Sequence, residues 1–120
     1  MKTILIVDDS AFTRGIHRRI IEAEGYAALE AASGAEALEA FSAHGPDLCL
    51  VDLLLPDMDG MDINRDVLSR DADAKTVVCS TDKQRYRRED AEAAGARGFL
   101  AKPASPDDLA ELLKKVLSDD

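Results

Sequence analysis

Tryptophan is absent from this 120-residue chain, so quenching of indole fluorescence offers no way to follow ligand binding. There are only two cysteines. Cys49 and Cys79 both sit inside short apolar runs, a pattern of reduced core thiols in a cytoplasmic protein more than of a disulfide or a metal pair. No apolar run approaches the roughly 20 residues that a membrane span needs. Met1-Lys2-Thr3 leads straight into a short strand pattern with no cleavage site, which argues against a signal peptide. Positive charge is in deficit: 15 Lys and Arg against 24 Asp and Glu give a formal net charge of -9. Such a surface repels nucleic acid and anionic membranes and favours cations or basic protein surfaces. Internal repeats, linkers and low-complexity segments are also missing.

What is present is an alternation. With 120 residues, 46% hydrophobic, the chain fits a single domain over 1–120 with one sizeable core. Strand patterns lie at Thr3–Val7, Ala27–Ala31, Leu48–Val51, Thr76–Ser80 and Gly98–Ala101. All but the second are nearly continuous apolar runs, as in strands covered on both faces. Helix patterns fill the gaps. Phe12, Ile16 and Ile20 recur at spacing four, with Gly25 as a stop. Ser33-Gly34-Ala35-Glu36 is a capping box, and Gly45-Pro46 ends the helix that follows. Ile63, Val67 and Leu68 mark a third helix, and the polar Lys83–Ala94 stretch a fourth. Ser105-Pro106-Asp107-Asp108 opens a fifth with the stripe Leu109, Leu112, Leu113, Val116, Leu117. Alternating βα units predict a parallel sheet with helices on both faces.

In such a sheet, ligands bind beyond the carboxyl ends of the strands. There the chain places Asp8 and Asp9 after the first strand, Asp52 after the third, Ser80 and Thr81 after the fourth, and Lys102 before Pro103 after the fifth. Each alone has a plain explanation as a turn, a cap or a solvated loop. Together they put three carboxylates, two hydroxyls and one ammonium on one edge. Two carboxylates ~4 Å apart repel by about 4 kcal/mol at an effective dielectric near 20. One lysine does not neutralise three anions. Either some stay protonated or a hard cation lies among them, and oxygen ligands on short loops suit Mg²⁺.

The stretches Val7–Asp9 (VDD), Val51–Gly60 (VDLLLPDMDG), Ser80–Thr81 (ST) and Ala101–Pro103 (AKP) resemble, in residues and spacing, the receiver domain of two-component response regulators. The resemblance covers essentially the whole chain. It implies a flavodoxin-like (βα)5 three-layer sandwich, with a five-stranded parallel sheet in the order 2-1-3-4-5, an order the strand patterns alone do not yield.

By the same resemblance Asp52 is the phosphoacceptor, taking a phosphoryl group from a histidine kinase or phosphotransfer protein. Asp9 is the direct Mg²⁺ ligand, Asp8 acts through metal-bound water, and Asp52 and the Leu54 carbonyl complete the protein's share. Lys102 and Ser80 contact phosphoryl oxygens. Pro56 and Gly60 allow the turn after Asp52, and Pro103 follows a cis bond that aims Lys102 inward. Ser80, Thr81 and Phe99 form the switch. The output surface is the fourth helix, fifth strand and fifth helix, with Arg85, Arg87, Arg88 and Arg97, toward a downstream protein. The receiver would be monomeric or dimerise on phosphorylation, and would be its own substrate with no turnover of another.

Four departures from the family pattern matter. Phe99 lacks the hydroxyl of the frequent Tyr, and Ala104 replaces a frequent Phe. Leu54 is apolar where some relatives place a polar group near the attacking water, and Thr81 is bulkier than the usual small residue, which together predict slow loss of phosphate. A rival reading keeps the fold as an interaction module without phosphorylation.

Overall fold

The computed structural model describes residues 1–80, 85–102 and 104–118, with 85–88 in backbone only. Thr81 and Pro103, and with Pro103 its expected cis bond, lie outside the described residues, as do the side chains of Arg85, Tyr86, Arg87 and Arg88. The elements alternate: β1 (Thr3–Val7), α1 (Ala11–Ala23), β2 (Ala27–Ala31), α2 (Gly34–His44), β3 (Leu48–Asp52), α3 (Gly60–Arg70), β4 (Lys75–Ser80), α4 (Arg85–Ala93), β5 (Gly98–Ala101) and α5 (Pro106–Leu117). The five strands form one parallel sheet in the order β2-β1-β3-β4-β5.

Side chains alternate across the sheet, and both faces are covered. Ile4 and Ile6 point to the face shared with Ile21 of α1 and Leu109, Leu113 and Val116 of α5. Leu5 and Val7 point to the opposite face, against Phe41 of α2 and Ile63 and Val67 of α3. Continuous apolar strands follow from this double burial. Cys79 belongs to the first face and Cys49 to the second, so the sheet itself keeps them from pairing; both are free and buried. Burial raises both thiols, Cys49 to about 12, which leaves them inert.

Helix ends follow their capping residues. The Ser33 hydroxyl accepts from the Glu36 N–H at 3.2 Å, and the Glu36 carboxylate accepts from Ala32, one residue earlier than a standard capping box. Gly45, at φ 55°, closes α2 in the left-handed region. Ser105 caps α5 with Pro106 at its first turn. The stripe read for α1 needs correction. Its buried residues are His17 and Ile21, whereas Phe12 is 78% exposed. Spacing four drifts around a 3.6-residue helix, and Phe12 sits in the first turn of α1. Among the described residues, no helix is long and apolar enough to cross a membrane.

Candidate functional site

Register brings the polar residues together. Val7 pairs with Val51, so the residues following them, Asp8 and Asp52, emerge side by side from the two central strands. Ser80 pairs with Ala101, which sets Lys102 next to Ser80, and the Lys102 N–H donates to the Ser80 carbonyl at 2.9 Å. β1 lies between β2 and β3, so chain connections leave it in opposite directions and open a crevice at this point.

The acids occupy that crevice. Asp8 and Asp52 are 2% and 4% exposed, while Asp9 is exposed. One oxygen from each of Asp8, Asp9 and Asp52 lies within 4.8 Å of the others. The Lys102 ammonium reaches over to donate to Asp8 Oδ2 at 2.8 Å and Asp52 Oδ2 at 2.9 Å. The other Asp52 oxygen accepts from the Leu54 N–H at 3.2 Å, and the other Asp8 oxygen from the Ser10 N–H at 2.9 Å. Burial pushes the Asp52 carboxyl above its usual range, against the pull of Lys102 and the Leu54 N–H. Burial works in the opposite sense on Lys102, but its bonds to Asp8 and Asp52 outweigh it and raise the ammonium.

Three carboxylates against one ammonium leave two negative charges, the charge that one divalent cation neutralises. All the donors are hard oxygens, two are buried and one faces solvent, which suits Mg²⁺ with retained waters. The donor set therefore fits the cation that the sequence implies.

The other sequence-predicted residues fall around this centre. Ser80 is buried at the end of β4. Leu54 holds Asp52 through its N–H and leaves its side chain 66% exposed at the mouth of the crevice. Gly60 is required by contact: a Cβ there would come within 2.2 Å of the Asp52 carbonyl oxygen. Pro56 is exposed in the turn between β3 and α3, which a Leu54–Asp59 bridge closes. Phe99 is half-buried and packs on the small cluster of Leu53, Met61, Val78 and Ala91 beneath α4. Arg97 is exposed.

Two residues went unassigned in the sequence. Asp57 spans from the turn after β3 to the start of α2, where its two oxygens accept from the Gly34 and Ala35 N–H groups at 2.8 and 3.0 Å. Those bonds hold its carboxyl below the usual range. Arg14 donates to the Asp8 main-chain carbonyl at 2.6 Å. The -P-D-M-D-G- wording contains Asp57, but its partners lie 23 and 22 residues away, and nothing local points to them.

Known proteins share both the sequence and the shape. The response regulator receiver domain family matches residues 4–114. The chemotaxis protein CheY of Thermotoga maritima is 40% identical over 116 residues, spanning 96% of this chain and 97% of that protein. A CheY-like receiver domain from Methanospirillum hungatei superposes with a TM-score of 0.93 at 30% identity, covering 99% of this chain and 95% of that one. The response regulator TrrA of Thermotoga maritima, solved in complex with Mg²⁺ and BeF, superposes at 0.88 with 29% identity, covering 97% of this chain and 99% of that one. With a parallel sheet in the order 2-1-3-4-5, an acid cluster at its central crevice and this match over nearly the whole chain, the protein belongs to the response regulator receiver domain family of two-component signalling.

Proposed function

We propose that this receiver accepts a phosphoryl group on Asp52 from a histidine kinase or phosphotransfer protein and relays it as a change of surface. The observation that carries the proposal is the Lys102 ammonium bonded at once to Asp8 and Asp52, with Asp9 beside them at the crevice mouth. Structural ion pairs in a core do not need a third, exposed acid.

Asp8, Asp9, Asp52 and the Leu54 carbonyl would hold Mg²⁺, which supplies positive charge to offset the phosphoryl oxygens. The protein's own groups do the rest. A carboxylate oxygen of Asp52 forms a bond to phosphorus as the donor's bond to phosphorus breaks. The departing electron pair stays on the donor. The Leu54 N–H fixes the carboxylate's orientation, and Lys102, already 2.9 Å from it, needs only a small shift to contact a phosphoryl oxygen. Ser80, at the end of β4, would donate to another oxygen. The exposed Leu54 side chain disfavours an ordered attacking water, so the phosphoryl group is lost slowly.

Phosphorylation adds charge where Lys102 now bridges two acids. Ser80 is drawn toward it, Phe99 turns inward, and the α4–β5–α5 face, with Arg97 exposed on it, changes its fit to a downstream protein. The protein acts as acceptor and switch, as a monomer or a phosphorylation-dependent dimer, and turns over no separate substrate. Two free buried thiols suit a cytoplasmic setting.

The test uses acetyl phosphate with Mg²⁺, read by intact mass. Wild type gains one phosphoryl group, lost without Mg²⁺ and lost in Asp52→Asn. Label that survives the substitution would move the site elsewhere. A wild type that never labels would favour a receiver fold used only for contact.

A further inference from the structure

The acid crevice is held from behind by a chain of charges that leads away from it. Arg14, in the first full turn of α1, sends Nη1 to the Asp8 main-chain carbonyl at 2.6 Å and Nε to Glu30 Oε1 at 2.9 Å. Glu30 stands on β2, and its second oxygen accepts from Arg18 at 2.6 Å. Arg14 is 16% exposed at its side chain and its bond to the Asp8 carbonyl is partly buried, whereas Glu30 and Arg18 lie at the surface.

The carbonyl it holds belongs to the peptide bond between Asp8 and Asp9. Every other polar group of Asp8 is also engaged. Its N–H donates to the Ala31 carbonyl at 3.0 Å, Oδ1 accepts from the Ser10 N–H, and Oδ2 accepts from Lys102. Asp9 is exposed and emerges from this peptide, so the plane of the peptide sets where its carboxylate starts. A guanidinium beside a cation site carries an electrostatic penalty, since like charges repel. Glu30 offsets that charge, which leaves the directed hydrogen bond as the reason for its presence.

We propose that Arg14, oriented by Glu30, is a positioning residue of the cation site: it fixes the Asp8–Asp9 peptide so that both carboxylates face one ion. The inference rests on the Mg²⁺ reading above and adds a residue outside the expected ligand set.

Charge and geometry predict opposite signs, and that makes the test decisive. Mg²⁺ binding is measured by calorimetry at elevated salt, where distant charges are screened. Arg14→Gln removes the positive charge and Arg14→Lys keeps it, but both lose the planar fork. Positioning predicts that both variants bind Mg²⁺ about tenfold more weakly, the usual size for a partner one shell out from a metal. It also predicts that Glu30→Gln weakens binding alone but adds nothing on top of Arg14→Gln, because both act through one carbonyl. In the metal-free protein the Asp9 amide ¹⁵N should move upfield in Arg14→Gln, reporting the lost bond to the preceding carbonyl. Thermal unfolding in EDTA shows that each variant is folded.

Tighter or unchanged Mg²⁺ binding in Arg14→Gln, or a Glu30→Gln effect that persists in the double variant, overturns the proposal while leaving the Mg²⁺ reading intact. A wild type that binds no Mg²⁺ at millimolar concentration overturns both.

Discussion

The loops after β1 and β3 and the loops after β4 and β5 meet at the same crevice but are built differently. The first pair is tied down from several sides. Arg14 and Ser10 hold Asp8; Asp57 fastens the β3 turn to α2; Asp59 caps α3; and Gly60 lets that helix press on the Asp52 backbone. Among the described residues, the second pair is joined by the Lys102–Ser80 backbone bond and by the Lys102 side chain. Among the described residues, the cluster beneath it holds Leu53, Met61, Val78 and Ala91, with Phe99 packed against them. Just past α4, buried Asn64 donates to the Ala94 carbonyl at 2.9 Å. A cation site needs fixed ligands, and among the described residues the side of the crevice that carries Asp8 and Asp52 is the rigidly tied one.

The sharpest way to test this contrast is to remove the Lys102 side chain, which ties the end of β5 to the acids. Lys102→Met leaves two buried carboxylates facing each other and should lower stability by about 3–5 kcal/mol in urea titrations with EDTA. Mg²⁺ should restore much of the loss. Equal midpoints for variant and wild type, with and without Mg²⁺, would show that the acids are not in conflict.

Straining the rigid side should have a somewhat smaller effect. Gly60→Ala drives a methyl within 2.2 Å of the Asp52 carbonyl oxygen and 2.8 Å of the Leu53 Cα, both backbone atoms with nowhere to go. A cost of about 2–3 kcal/mol, with weakened Mg²⁺ binding, is expected from denaturation and calorimetry. Full Mg²⁺ affinity in the variant would mean that the turn is softer than its contacts imply.

The smallest effect has the opposite sign and lies where the two sides meet. The Asp52 pKa is raised in the fold, so the native state holds this proton more tightly than the unfolded chain. Its charged form therefore costs stability above the folded pKa, and the cost disappears as pH falls below the usual value of 3.8. Asp52→Asn should stabilise the metal-free protein by about 1 kcal/mol at neutral pH and not at all in acid. A variant less stable than wild type at pH 7 would show that losing one of Lys102's partners outweighs the relief.

Most of the fold was legible because its signals are local. Continuous apolar strands, Ser33 and Ser105 as caps and Gly45 as a stop each act within a few residues, and the structure puts β2 where a weak AALEA pattern suggested it. The strand order came from the resemblance to receivers. Asp8, Asp9, Asp52, Ser80 and Lys102 were legible as a site because each ends a strand, and parallel strands send their ends to one edge. What holds those residues was not. Arg14 looks like any helix arginine, and Asp57 like any turn aspartate, until chain segments 16 to 23 residues apart are brought together. Phe12 misled because spacing of four drifts off the buried face, and it is 78% exposed.

The Lys102 side chain starts beyond β5 at the rim of the sheet and ends on acids that follow β1 and β3 at its middle. Its reach crosses β4, so one ammonium links the edge strand to the charge at the centre of the sheet. An arriving metal or a neutralised acid weakens that link by taking away the charge it pairs with.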